Sequence, residues 1–127
     1  MLNVPDDLRY TESHEWVRIE GARARIGITD FAQQELTDVV YVELPEVGKD
    51  YKKGEVIAVV ESVKSTSDIY APVSGAVAEI NRALENAPEI INQDPYGEGW
   101  LAVLSLKDER ELGSLLTPEQ YRAVISR

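Results

Sequence analysis

The chain has no cysteine and a single histidine among its 127 residues. The first absence excludes disulfides, thiolate nucleophiles and cysteine-bound zinc, and the second excludes a histidine-built metal site. No apolar run approaches the roughly 20 residues that a membrane span requires. The opening Met1-Leu2-Asn3-Val4-Pro5-Asp6-Asp7 lacks the cationic start and apolar stretch of a signal peptide, and the Arg-rich, acid-poor look of a transit peptide. A cytoplasmic protein of bacterial type, or a mature organelle form, is the expectation. Cations are scarce: 13 Lys and Arg face 23 Asp and Glu, a formal net charge of −10. A surface so charged repels nucleic acid and anionic membranes and favours basic protein partners.

Catalytic constellations are also missing. His14 precedes the first strand, where a rim position is expected, and no Gly-x-Ser-x-Gly supplies a serine for it to activate. Gly97-x-Gly99-x-x-Ala102 imitates a dinucleotide fingerprint, but Asp94-Pro95-Tyr96 stands where a strand should lead in. An alternating strand, Trp100 to Leu106, follows where a helix should start.

What is present reads as β structure in one domain, residues 1–127, of a size that buries about two-thirds of its unfolded surface. Glu15 to Glu20 alternates polar and apolar as a half-buried strand, Gly21 breaks it, and Ala22 to Ile28 resumes. Asp30 reads as the N-cap of a short helix, with Gln33 as its capping-box partner. Val39 to Leu44 is a strand stopped by Pro45; Gly48 and Lys52-Lys53-Gly54 mark turns. Ala76 to Ile80 alternates again, and Pro88 opens a helical turn through Ile91. The C-terminal helix, about 117–126, has Thr117 as N-cap, Pro118 at N1 and Gln120 at N3, with Tyr121, Val124 and Ile125 on one face. So short a helix must dock on the sheet to be stable.

One hairpin, about 56–73, stands out. Val56 to Val60 and Ile69 to Val73 are strand-like runs around the polar Glu61-Ser62-Val63-Lys64-Ser65-Thr66-Ser67-Asp68. Lys64 is the only cation of that segment. A free lysine, with a pKa of about 10.4, is an ammonium at neutral pH and a poor nucleophile. A wet turn flanked by Glu61 and Asp68 offers nothing to make it a base, so the amine is better placed as another enzyme's substrate than as a catalyst. A plain solvated turn lysine is the alternative.

Glu61-Ser62-Val63-Lys64 and Ser67-Asp68-Ile69-Tyr70-Ala71-Pro72-Val73-Ser74-Gly75 resemble the lipoyl-attachment hairpin of the glycine cleavage system H protein family. So do Ser13-His14-Glu15-Trp16-Val17, Gly27 to Gln33, Asp38 to Gly48 and Asn92 to Trp100, in the same order. A biotinyl domain would set its lysine between methionines, where Val63 and Ser65 stand here. The lipoyl domains of 2-oxoacid dehydrogenases share the hairpin without the outer blocks.

The resemblance implies a mainly β fold: a flattened β-barrel or sandwich of lipoyl/biotinyl-domain type, a barrel-sandwich hybrid, with short helices and a C-terminal helix. It implies a carrier, not an enzyme, with lipoate amidated to Lys64. The arm would take an aminomethyl group from glycine decarboxylase to the aminomethyltransferase, with dihydrolipoyl dehydrogenase reoxidising it and a lipoyl ligase or transferase installing it. A mature organelle form would work in the mitochondrial matrix. Ser13, Glu15 and Asp68 match family positions near the docked arm, and Glu61 frames the lysine with Asp68. Two departures stand out: Thr37 replaces the family's usual glycine after the first helix, and that helix lacks the histidine with which some relatives line the arm's pocket. A lipoyl-relay protein, or an acidic interaction module never modified at Lys64, are the competing readings.

Overall fold

The computed structural model describes residues 2–127. In chain order the elements are β1 (Arg9–Tyr10), β2 (Glu15–Glu20), β3 (Arg23–Ile28), α1 (Asp30–Leu36), β4 (Val39–Glu43), β5 (Asp50–Tyr51), β6 (Val56–Ser62), β7 (Thr66–Tyr70), β8 (Gly75–Ile80), α2 (Ala83–Asn86), α3 (Ile90–Gln93), β9 (Ala102–Leu106), a 3-10 segment (Glu109–Ser114) and α4 (Pro118–Ile125). They form a six-stranded sheet, β1-β2-β3-β9-β8-β5, and a three-stranded sheet, β4-β6-β7, not closed into a barrel. Every pairing is antiparallel. Mostly strand with a few short helices, this is the fold the sequence implied.

The main core lies between the sheets. Val17, Ala24, Ile26, Val77, Ala102 and Leu104 come from the large sheet; Val39, Val42, Ile57, Val60 and Ile69 come from the small one. A second, aromatic cluster of Leu8, Tyr10, Trp16, Tyr96 and Tyr121 lies under α4. It corrects the expectation of a half-buried β2: Glu15, Trp16 and Val17 are all buried, because α4 and the lead-in cover the outer face of that strand. Trp16 lies directly over Gly27, where a Cβ would sit 2.6 Å from the indole. Any larger residue at 27 would displace the ring.

Local chemistry sets the element ends. The N-cap of α1 is Thr29, not Asp30: its hydroxyl accepts from the Ala32 amide, and Asp30 becomes the first helical residue, bonded to the Gln33 amide group at 2.7 Å. Both types suit the cap, and Thr29 takes it because its backbone is the extended one. At α4 the capping box on Thr117 and Gln120 is present, with Pro118 at N1. The strand after the Gly97–Gly99 turns begins at Ala102 rather than Trp100. It runs between β3 and β8, so Ala102, Val103 and Leu104 are all buried and the strand does not alternate.

Candidate functional site

The hairpin tip is tighter than the polar segment suggested. β6 runs on through Glu61 and Ser62 and β7 starts at Thr66, so only Val63, Lys64 and Ser65 turn. Ser62 builds that turn. Its hydroxyl accepts from the amides of Lys64 (3.2 Å) and Ser65 (3.0 Å) and donates to the Ser65 carbonyl (3.1 Å), while its own amide donates to that carbonyl at 2.8 Å. The Val63 amide is tied to the Asp38 carbonyl at 3.0 Å. Lys64 is thus an exposed side chain on a fixed backbone, beside a Val63 that is 68% exposed. Its Nζ donates to the Glu35 carbonyl at 3.1 Å, in the last turn of α1. Helix C-termini favour a cation there, and α1 has no basic residue of its own in that turn.

Beside the lysine is a cleft of about 370 Å³ between α1 and the hairpin. Its apolar wall is Ile28, Phe31, Ala32, Leu36 and Ile69; its polar groups are Ser13, His14, Glu35, Lys64, Ser65, Thr66 and Ser67. Two of the five residues singled out in the sequence, Ser13 and Lys64, line it.

The other three do not. Glu15 is buried behind Ser13, 1% exposed, and its carboxylate accepts from the Ser13 and Thr11 hydroxyls, each at 2.5 Å, and from the Tyr70 amide at 3.2 Å. Burial pushes its carboxyl pKa up, against those bonds, which pull it down. Asp68 alternates with the cleft-lining Ser67 and Ile69 and is exposed. Glu61 is on β6, half-buried and paired across the small sheet with Tyr41 and Thr66.

Sequence reasoning missed three contributors. Ser62 carried a signal, a serine two residues before the lysine in a tight turn. Glu35 could be placed on α1 but not on its cleft-facing side. His14 reads as a surface or rim residue, in a segment that the resemblance sets near the arm's docking cleft, with no contact of its own to predict. It is half-buried, lines the cleft against Phe31 (ring centroids 4.6 Å apart) and bonds through Nδ1 to the Tyr121 hydroxyl at 2.9 Å. The cleft therefore has a histidine after all, supplied by the loop before β2 rather than by α1. Thr37 adopts φ 62°, ψ −144°, so this backbone keeps the positive φ that its residue type disfavours. Among the described residues no group of three or more His, Cys, Asp or Glu is placed to hold a metal.

The geometry agrees with three comparisons. The family model described as Glycine cleavage H-protein matches residues 8–127. The glycine cleavage system H protein of Endomicrobium trichonymphae is 53% identical over 124 residues, 98% of this chain and 100% of that one. A probable glycine cleavage system H protein of Aeropyrum pernix is 60% identical over 115 residues, 91% of this chain and 80% of the relative. The crystal structure of a glycine cleavage system H protein from Mycobacterium marinum superposes with a TM-score of 0.87 at 40% identity, covering 98% of this chain and all of that one. With the whole fold and nearly the whole sequence matched, this chain belongs to the glycine cleavage H-protein family, the lipoyl-carrying and non-catalytic component of the glycine cleavage system.

Proposed function

We propose that Lys64 is the amine that takes lipoate as an amide, and that the adjoining cleft receives the arm. The observation that supports this most is the pairing of the two: an exposed primary amine on a rigid three-residue turn, at the edge of an apolar groove. The residues present fit the group, since Ile28, Phe31, Ala32, Leu36 and Ile69 offer an apolar wall for its hydrocarbon chain. Bound there, lipoate supplies a redox-active dithiolane that accepts and gives up a one-carbon aminomethyl group.

The chain's own part is attachment, presentation and shelter. Acylation removes the ammonium that now rests on the Glu35 carbonyl, which weakens the hold of α1 on the side chain and lets the arm swing. The hairpin tip keeps the arm's root fixed, so a tethered end visits partner sites at high effective concentration. Ser13, backed by the buried Glu15 carboxylate, forms a polar end for the cleft that suits a cationic amine. Asp68 and Glu61, standing on the two strands of the hairpin, are the acidic marks a lipoyl ligase or transferase reads. Glycine decarboxylase, the aminomethyltransferase and dihydrolipoyl dehydrogenase are the enzymes the arm serves. Its relatives here are bacterial and archaeal, and the cytoplasm is where we place this activity.

Peptide mapping after co-expression with a lipoyl ligase tests the assignment. The lipoyl mass falls on Lys64 alone, and Lys64→Arg keeps the fold but takes no modification, because a guanidinium offers no acylatable amine. Lipoyl on Lys53, whose amine is hydrogen-bonded to Ser114, or on Lys107, 3.6 Å from Asp50, refutes it.

A further inference from the structure

Three side chains from distant parts of the sequence meet behind the cleft. The Tyr121 hydroxyl of α4 is 2.9 Å from His14 Nδ1 and 2.7 Å from Thr29 Oγ1. Thr29 is fully buried, and its Oγ1 also accepts from the Ala32 amide. Distances alone leave the proton directions open at both Tyr121 contacts. Satisfaction of the buried threonine closes them. Of the two hydrogen-bond partners of Thr29 Oγ1, the Ala32 amide is a donor, so its own proton has one acceptor available, Tyr121 Oη. With that lone pair used, the Tyr121 proton points to His14 Nδ1. Nδ1 then accepts, and the neutral ring bears its hydrogen on Nε2. The reverse order would strand a buried hydroxyl proton, which proteins rarely tolerate.

We propose that Tyr121 is a positioning residue: through Thr29 it holds His14 in the Nε2–H form, so the cleft offers an uncharged hydrogen-bond donor to an acceptor atom of the arm, its amide carbonyl or a sulfur. This rests on the cleft being the arm's seat. An Nε2–H donor has nothing to offer an ammonium, so a cationic end is directed to the Ser13 side instead. A protonated ring would put a hydrogen on Nδ1 against the Tyr121 hydroxyl proton and force the whole chain to reverse. The groups around the ring are Glu35 of α1 and Lys64 of the hairpin, which line the same cleft, Phe31 of α1 and Tyr121 of α4. Burial lowers the His14 pKa below 6.5, against the pull of Glu35, in keeping with a ring held neutral.

Because His14 is the only histidine in the chain, ¹⁵N-histidine labelling of untagged protein gives one imidazole to read. Long-range ¹H–¹⁵N spectra of the unmodified protein at pH 8 are expected to show Nε2 protonated and Nδ1 as a hydrogen-bonded acceptor. Tyr121→Phe keeps the stack on Tyr10 and removes the donor. It shifts Nδ1 toward an unpartnered acceptor, admits the second tautomer and raises the His14 pKa toward 6.5; Thr29→Ser, which keeps the hydroxyl, leaves the wild-type spectrum. An Nδ1–H tautomer in wild type, or a Tyr121→Phe spectrum identical to it, overturns the proposal, and the wild-type reading stands even if the variant fails to fold. In lipoylated protein, confirmed by mass on the same sample, the Nε2 resonance shifts from its unmodified position. An unmoved Nε2 overturns the contact with the arm, whereas a sample that never acquires lipoate at Lys64 overturns the attachment reading instead and leaves the tautomer result to be judged by itself.

Discussion

At the scale of single residues, Glu15 and Thr37 each carry a cost that the fold accepts. Glu15 is a buried carboxylate whose three donors do not fully offset the loss of water, so its pKa is raised above the ordinary 4.5. The sign of the resulting pH dependence is fixed by linkage. Between the unfolded value and the raised one, the folded state binds more protons than the unfolded state, so this group's contribution is present below the unfolded pKa and is lost as pH rises through the folded one. Other acids contribute too, which makes the comparison with Glu15→Gln the useful measurement. In urea unfolding the stability of wild type minus that of the variant should fall as pH rises from that ordinary value and then level off; a difference that does not change with pH contradicts the assignment. Thr37 is exposed, its side chain enters none of the hydrogen bonds around it, and its backbone sits where glycine is at ease. Such a conformation costs a non-glycine residue about 1–3 kcal/mol, and glycine returns roughly 0.4–1 kcal/mol of that as extra unfolded-state entropy. Thr37→Gly is therefore expected to stabilise by about 1 kcal/mol, read as a higher urea midpoint at unchanged slope.

Among elements, the hairpin shows what a local reading reaches and where it stops. Alternation and turn residues located both strands of β2–β3, and the capping box of α4 could be read from Thr117 to Gln120, because those signals are local. The burial of both faces of β2 could not be read, since Tyr96 and Tyr121, which help to cover Trp16, lie far along the chain. For the same reason Lys64 was legible and its cleft was not: Ser13 and His14 of the loop before β2, Phe31 of α1 and Ser67 of β7 are far apart in sequence, and only the packing of α1 against the hairpin brings them together. The polar run Glu61 to Asp68 reads as a loop, yet only three of its residues turn, because an exposed edge strand such as β7 is polar on one face as well. Ser62 is where the tip's rigidity can be tested. Ser62→Ala removes three hydrogen bonds, but at an exposed turn water replaces much of what they supply, so a stability loss of about 1 kcal/mol is expected. The sharper readout is local: amide exchange at Lys64 and Ser65 should quicken, and lipoylation should slow, while the β-sheet amides keep their protection. Unchanged exchange at those two amides would mean that Ser62 does not order the tip.

Across the whole molecule, charge is the property that no single contact explains. A net −10 on 127 residues gives a field that reaches beyond any one side chain and draws basic surfaces toward the protein. The hairpin concentrates the consequence, because Glu61 and Asp68 lie on the two strands that lead to Lys64, and both enter the view of any enzyme that approaches the amine. Glu61 is the better probe. It is half-buried next to Tyr41 and Thr66, so Glu61→Gln keeps nearly the same shape and packing and removes only the charge. Steering of this kind acts on encounter rather than on the chemical step. The variant should therefore raise the apparent KM for lipoylation by the ligase and leave kcat close to wild type. Exposed charges are screened over about 10 Å at 0.1 M salt, so the gap between the two proteins should narrow steadily as ionic strength rises. A strand-end glutamate with no part in recognition predicts coincident rates at low salt, and that outcome would remove Glu61 from the docking surface.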